Sequence, residues 1–226
     1  MRRWPAPRAS STKGSDALDR SGRPPVVQAL ILVGGEGTRL RPLTTTVPKP
    51  VLPLANRPFI TYMIEWLAAH GFEEVVLSCM FLSAGIKRVL GEHEWNGTRL
   101  HYVEEPEPRG TAGAVKFAEA VLGERFAVLN GDILTDFDLS ALLRTHEGAD
   151  ARATITLIEV DDPSAYGLVL TDADGRVTDF IEKPDRSPAE GAFINAGAYM
   201  LEREVLDGLP GDRAVSFERE DRKSVV

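Results

Sequence analysis

The densest chemistry in this sequence lies in residues 34–50, where Gly34-Gly35-Glu36-Gly37-Thr38-Arg39-Leu40-Arg41-Pro42-Leu43-Thr44 is followed by Pro48-Lys49-Pro50. Three glycines let a backbone close around an anion and aim its N–H groups at the oxygens. Arg39, Arg41 and Lys49 stand here against Glu36 alone, so a cationic spot sits in an otherwise acidic body. Two familiar phosphate loops are excluded: a dinucleotide fingerprint needs a third glycine where Leu40 stands, and a Walker loop needs Gly-Lys-Ser/Thr. What remains is a phosphate loop carrying its own arginine. Taken alone, Gly34 to Gly37 reads equally well as a tight turn with surface charges beside it.

Other candidates are more dispersed. Asp132 ends the apolar run Arg125–Asn130 at Asn130-Gly131-Asp132. A carboxylate there either caps a turn or holds Mg²⁺ that bridges phosphate oxygens. Asp136 and Asp138 are already placed for turn and cap, which leaves Asp132 for the metal. Glu182 beside Lys183 reads, from the residues alone, as a solvated strand edge. Gly110-Thr111-Ala112-Gly113-Ala114 opens a helix with small residues, suited to a flat base lying on backbone or to tight helix packing. His70, His93, His101 and His146 have no ligand spacing and receive no role. The single cysteine, Cys79, excludes a disulfide framework and a thiolate metal site.

Positioning these groups requires an α/β fold. Residues 26–33 form a strand-length apolar run, and residues 58–70 place Phe59, Ile60, Met63, Ile64 and Leu67 at helical spacing. Glu74–Cys79 reads as a buried strand, Ser83–Leu90 as a helix closed by Gly91, and residues 99–104 as a strand. A helix over 111–122, a strand at Arg125–Asn130 and a helix capped by Asp138 running to about His146 follow. The β-α alternation implies a mostly parallel sheet with helices on both faces. The phosphate loop then falls at the carboxyl end of the first strand, where open α/β sheets bind ligands. After residue 150 the period becomes two, giving strands at 151–160, 167–171, 176–183 and 193–201, with Asp174-Gly175 as a hairpin turn.

Charge is uneven along the chain. Residues 1–25, rich in Ser, Pro, Arg and Gly, carry a net +4 and read as a disordered arm outside the fold. The remaining −12 argues against a nucleic-acid partner. No stretch approaches the roughly 18 apolar residues of a membrane span, and no signal peptide is visible, so the expectation is a cytoplasmic protein without a membrane partner.

Taken together, the motifs resemble those of the nucleotide sugar pyrophosphorylases, the sugar-1-phosphate nucleotidyltransferases. The run from Leu32 to Pro50 matches their signature, and further matches follow in order: Glu104-Glu105-Pro106 with Gly110 to Ala114, Leu129 to Asp132, Tyr166-Gly167, Glu182-Lys183-Pro184 and Asn195-Ala196-Gly197. The resemblance implies a Rossmann-like mixed, mostly parallel sheet with helices on both faces, of the nucleotide-diphospho-sugar transferase type. It implies in-line attack of a sugar 1-phosphate oxygen on the α-phosphorus of a nucleoside triphosphate, with release of pyrophosphate. The nucleophile is already ionised at pH 7, so no general base is needed, and catalysis reduces to alignment and charge neutralisation.

By the same resemblance, Arg39, Lys49 and Lys183 are catalytic cations: Arg39 for the pyrophosphate, Lys49 for the triphosphate and Lys183 for the sugar phosphate. Leu32, Gly34, Gly35, Gly37, Thr38, Glu105, Gly110 and Thr111 are assigned to the nucleotide. Asn130, Gly167, Glu182 and Asn195 are assigned to the sugar, and Asp132 to Mg²⁺. The wording is most similar to mannose-1-phosphate guanylyltransferases, which use GTP and mannose 1-phosphate. Thymidylyl or uridylyl transfer to glucose 1-phosphate is the first alternative, and a non-catalytic nucleotide-sugar-binding regulator the second. A dinucleotide-dependent oxidoreductase is disfavoured by Leu40. A homo-oligomer is compatible with the resemblance.

The expected domain runs over 26–220. Family members carry a second metal-binding Asp in a later Trp-containing segment, which this sequence lacks, and residues 221–226 do not resemble the family's continuation. They are read as a non-native tail on a domain cut short.

Overall fold

The computed structural model describes residues 28–80, 83–164, 166–182 and 192–217. Lys183, the arm over 1–25 and the tail over 221–226 lie outside the described residues.

In chain order the elements are β1 (Gln28–Leu32), β2 (Pro53–Leu54), β3 (Arg57–Pro58), α1 (Phe59–Ala69), β4 (Glu74–Cys79), α2 (Ser83–Leu90), β5 (Glu94–Trp95) and β6 (Thr98–Glu104). There follow α3 (Gly110–Phe117), β7 (Arg125–Asn130), α4 (Leu139–Gly148), β8 (Ala153–Val160), β9 (Gly167–Thr171), β10 (Val177–Glu182) and β11 (Ala192–Glu202). Nine strands form one sheet in the order β10-β9-β11-β7-β1-β4-β6-β5, with β8 on β11; β2 and β3 make a separate hairpin. Four neighbours, β7-β1-β4-β6, run parallel, and the flanking pairings are antiparallel.

The sequence of β1, Gln-Ala-Leu-Ile-Leu, has no polar alternation after Gln28 because both faces are covered. Ala29 and Ile31 join the core under α1, α2 and α4, with Ile60, Ile64, Leu67, Val75, Leu77 and Leu139. Leu30 faces the opposite core, with Val76, Val115, Phe126, Val128 and Leu206 beneath α3 and the turn Arg203–Gly208. Helices on both faces thus follow from one strand's composition. No helix among the described residues is long and apolar enough to cross a membrane.

The helix expected over 111–122 ends at Phe117 and continues as a 3-10 turn, Glu119–Val121. Alanine propensity favours a longer helix, but the side chain of Gln28 on β1 intervenes. Its amide donates to the Val121 carbonyl at 2.9 Å and accepts from the Gly123 N–H at 2.8 Å, fixing the chain in a turn. At the other end of the prediction, Asp138 caps α4 by accepting from the Ser140 N–H at 2.9 Å.

The amino end of β7 carries a polar knot that the sequence did not reveal. His146, 1% exposed on the last turn of α4, holds Thr154 Oγ1 at 2.8 Å through Nδ1 and Glu202 Oε1 at 3.1 Å through Nε2. Arg125 Nε donates to the same Glu202 oxygen at 2.5 Å, and its Nη1 to Glu147 at 2.8 Å. Burial lowers the pKa of His146 below its ordinary value, and Glu202 opposes the shift. The folded state therefore resists protonation where the unfolded chain accepts it. The stability contribution is complete above the unfolded pKa of about 6.5 and is lost as pH falls through the lower folded value. The melting temperature should drop between pH 7 and 5, and His146→Gln should flatten that part of the profile. Equal slopes in both proteins would remove His146 as the cause.

Candidate active site at the carboxyl edge of the sheet

Strand β1 pairs with β4 on one side and β7 on the other, so the chain changes direction of progress across the sheet at β1. Crevices at such a switch point, at the carboxyl ends of the strands, are the ligand sites of open α/β sheets. Two loops leave the sheet there: residues 33–50 after β1, and residues 131–138 after β7.

The first loop is clasped from within. Gly37 lies in the left-handed region at φ 61°, ψ 32°, which favours glycine, and a 3-10 turn, Thr38–Leu40, begins immediately after it. Buried Thr44 donates from Oγ1 to the Gly37 carbonyl at 2.8 Å. Its methyl group also fills the space beside Gly37, where a Cβ would lie 2.9 Å away. Nothing in the sequence marks Thr44 for this contact, which depends on the left-handed conformation of Gly37. Gly34 lies against Met80 at the end of β4, whereas a Cβ on Gly35 would meet no atom within 4 Å.

Lys49 stands in the 3-10 turn Lys49–Val51, between Pro48 and buried Pro50. Pro48 is seated on α2 at Gly85, where a Cβ would fall 2.8 Å from the proline ring. The lysine backbone is therefore fixed while its stem reaches across the crevice. Its Nζ lies 2.6 Å from Asp132 Oδ2. The two residues that the sequence assigned separately to triphosphate and metal thus form one ion pair. Arg41 is also paired, with Glu36 at 3.3 Å. Arg39 is exposed, and among the described residues no partner for its guanidinium is present.

The second loop depends on close approach. Gly131 N–H donates to the Leu32 carbonyl at 2.9 Å, and a Cβ there would fall 2.4 Å from that oxygen. The Leu32 carbonyl, at a position assigned to the nucleotide, is thereby engaged in holding β7 against β1.

The sugar-assigned residues gather into one patch. Glu182 pairs with Gly167 across β10 and β9. Ile194 pairs with Leu168 across β11 and β9, so the next residue, Asn195, neighbours Gly167. Strand β11 changes register between Asn195 and Tyr199. Within that irregularity the Gly197 N–H donates to Asn195 Oδ1 at 2.8 Å, and Gly197 approaches so closely that a Cβ would lie 2.6 Å from Asn130 Nδ2. Asn130, Gly167 and Asn195 are thus contiguous at the carboxyl edge, with Glu182 at the adjoining strand position.

Glu105, at the end of β6, is buried and accepts from Ser78 Oγ at 2.5 Å. Burial raises its pKa above the ordinary carboxylate value, against the pull of Ser78 and Arg109. Ser78 was not singled out in the sequence, because a serine inside an apolar strand carries no signal of its partner.

Gly110 and Thr111, assigned to the nucleotide, lie in close contact with the backbone near Val215. Gly113 N–H donates to the Val215 carbonyl at 3.1 Å and Val215 N–H to the Arg109 carbonyl at 2.8 Å. Phe217 N–H donates to Thr111 Oγ1 at 3.0 Å, and a Cβ on Gly110 would fall 2.4 Å from the Val215 oxygen. The first turn of α3 is therefore where residues 211–217 dock.

Comparisons with known proteins agree with this architecture. Residues 28–223 match the nucleotidyl transferase family. A mannose-1-phosphate guanylyltransferase of Mycobacterium tuberculosis is 43% identical over 86% of this chain and 54% of its own length. Mannose-1-phosphate guanylyltransferase 1 of Arabidopsis thaliana is 41% identical over 86% of this chain and 55% of its own. The chain thus spans about half the length of these curated relatives. Among solved structures, HddC from Yersinia pseudotuberculosis complexed with GMP-PN superposes with a TM-score of 0.72 at 30% identity, covering 86% of this chain and 84% of that one. On this match the chain belongs to the nucleotidyl transferase family.

Proposed function

We propose that this site transfers a guanylyl group from GTP to mannose 1-phosphate, forming GDP-mannose and releasing pyrophosphate. The observation that carries the reading is the meeting of the glycine loop, Lys49 and Asp132 at the switch point between β1 and β7. A sugar-phosphate oxygen bonds to the α-phosphorus as the bond from that phosphorus to the α–β bridging oxygen breaks, and that oxygen leaves as a terminal oxygen of pyrophosphate. Arg39 grips the leaving pyrophosphate with its planar fork, Lys49 steadies the triphosphate, and Lys183 holds the sugar phosphate. Asn130, Gly167, Glu182 and Asn195 present the sugar along the patch beside β7.

Guanine is favoured for two reasons. The curated relatives cited above are guanylyltransferases. A carboxylate at Glu105 accepts from the adjacent N–H groups of guanine, whereas uracil and thymine offer one N–H flanked by repelling oxygens.

Mg²⁺ fits the residues present in one specific way. Among the described residues no group of three or more His, Cys, Asp or Glu side chains could hold a metal. Asp132 supplies one half-exposed carboxylate, and Mg²⁺ is commonly held by one or two carboxylates together with substrate phosphates. Bound there, the ion would neutralise charge on the phosphates.

The test is calorimetric titration with GTP, dTTP and UTP in Mg²⁺, followed by pyrophosphate release with mannose 1-phosphate and glucose 1-phosphate. Preferential GTP binding and mannose-dependent release are expected. Preference for dTTP or UTP would transfer the assignment to a thymidylyl or uridylyl enzyme. Absence of binding by the folded protein would end the reading.

The Thr44 clasp gives a finer prediction. Thr44→Val keeps the shape and removes the donor to Gly37, so GTP affinity should fall about fivefold, the usual worth of one hydrogen bond of roughly 1 kcal/mol. Thr44→Ser should restore it. Calorimetry that found the valine variant unchanged would show that the loop is held by packing alone.

A further inference from the structure

The Lys49–Asp132 pair has a consequence for how ligands enter the site. Asp132 is the carboxylate at which Mg²⁺ fits, and its Oδ2 lies 2.6 Å from the Lys49 ammonium. We infer that the Lys49 ammonium stands in for the metal ion at Asp132 until a triphosphate draws it away, so that nucleotide and divalent cation enter as a unit. The inference rests on the proposed nucleotidyl transfer and concerns the order in which that site fills.

Three features support it. The anchorage of Lys49 is asymmetric: Pro50 is buried and Pro48 is wedged on Gly85, which holds the backbone, while a lysine side chain is a flexible four-carbon stem. The same residue borders the phosphate loop, since a Cβ on Gly37 would lie 3.3 Å from Lys49 Cβ. The ammonium therefore has Asp132 on one side and the anion loop on the other, within the reach of one side chain. Both partners are partly exposed, at 31% and 51%, which keeps the pair weak and reversible. A triphosphate carries more negative charge than one carboxylate and competes for the ammonium. The vacated Asp132 is then matched to a cation that also contacts the phosphates. Without nucleotide, a divalent ion at Asp132 meets the repulsion of the ammonium and lacks the phosphate oxygens that would complete its shell.

Two measurements on nucleotide-free and metal-free protein test this. The first is Mn²⁺ binding followed by electron paramagnetic resonance. Lys49→Met should bind Mn²⁺ about tenfold more tightly than the unaltered chain, Lys49→Arg should not, and Lys49→Met combined with Asp132→Asn should lose the gain. The second is calorimetry with GTP in EDTA. Asp132→Asn releases Lys49, so it should bind metal-free GTP several-fold more tightly than the unaltered chain, although it lacks the metal ligand.

A Lys49→Met protein, shown folded by circular dichroism, that binds Mn²⁺ no more tightly than the unaltered chain overturns the inference. So does an Asp132→Asn protein with no gain for metal-free GTP. If the unaltered chain fails to bind GTP even with Mg²⁺, the proposed function falls by itself, and the Mn²⁺ series still decides the role of the pair.

Discussion

Arg39→Ala should lower affinity for Mg²⁺-bound GTP by about 100-fold, corresponding to about 2.7 kcal/mol, with no change in melting temperature. The three cations of the glycine-rich loop differ in what they already do. Arg41 is paired with Glu36 and Lys49 with Asp132, whereas Arg39 is exposed and unpartnered among the described residues. A guanidinium without a protein partner breaks no contact when it turns to a phosphate, and its removal leaves no buried group unsatisfied. Fold and binding should therefore separate cleanly. Arg39→Lys should recover only part of the affinity, because a point charge does not reproduce a two-pronged grip. Calorimetry beside thermal melts reads both quantities. Retained binding in Arg39→Ala, with loss in Arg41→Ala, would move the anion contact to Arg41.

Gly131→Ala should be strongly destabilising. The added carbon would lie 2.4 Å from the Leu32 carbonyl oxygen and 2.7 Å from Val33 Cγ1. Leu32 belongs to the central strand, held by β4 on one side and β7 on the other, so the obstacle cannot move aside cheaply. The end of β7 must swing out instead, at about 2–4 kcal/mol. That corresponds to a fall in melting temperature of roughly 5–15 °C for a domain of this size. Because Asp132 follows directly, the Lys49 contact should be lost as well, and nucleotide affinity should fall even at temperatures where the variant is folded. Gly35→Ala is the control: its methyl group meets no atom within 4 Å, so stability should be unchanged. A melting temperature of Gly131→Ala equal to that of the unaltered chain would show that the β1–β7 junction is plastic.

The sequence was most legible where local chemistry and tertiary environment agree. Glu74–Cys79, Ser83–Leu90, Arg125–Asn130 and Gly167–Thr171 have the bounds their patterns suggest, since apolar runs and turn residues coincide with buried strands and chain reversals. The family was readable because its motifs reside in contiguous words. What was hidden depends on residues far apart in the chain. The early end of α3 is imposed by Gln28, more than 90 residues away. The Lys49–Asp132 pair joins positions 83 residues apart, and Ser78 meets Glu105 across 27. The small residues at the start of α3 signal close approach, but sequence does not say that the backbone near Val215 is what approaches Gly110. His146 looked like one of four scattered histidines, because its partners Thr154 and Glu202 are contributed by strands that the topology brings to it.

Strand β7 joins two settings of opposite character. Its amino end is tied into the Arg125, Glu202 and His146 knot, and its carboxyl end delivers Asn130 and Asp132 to the candidate site. Six residues of strand, about 20 Å, separate them. This spacing permits a division of labour in molecular evolution: a lineage adapting to acid or heat can vary the knot, and one acquiring a new sugar can vary the opposite rim, with neither change constraining the other.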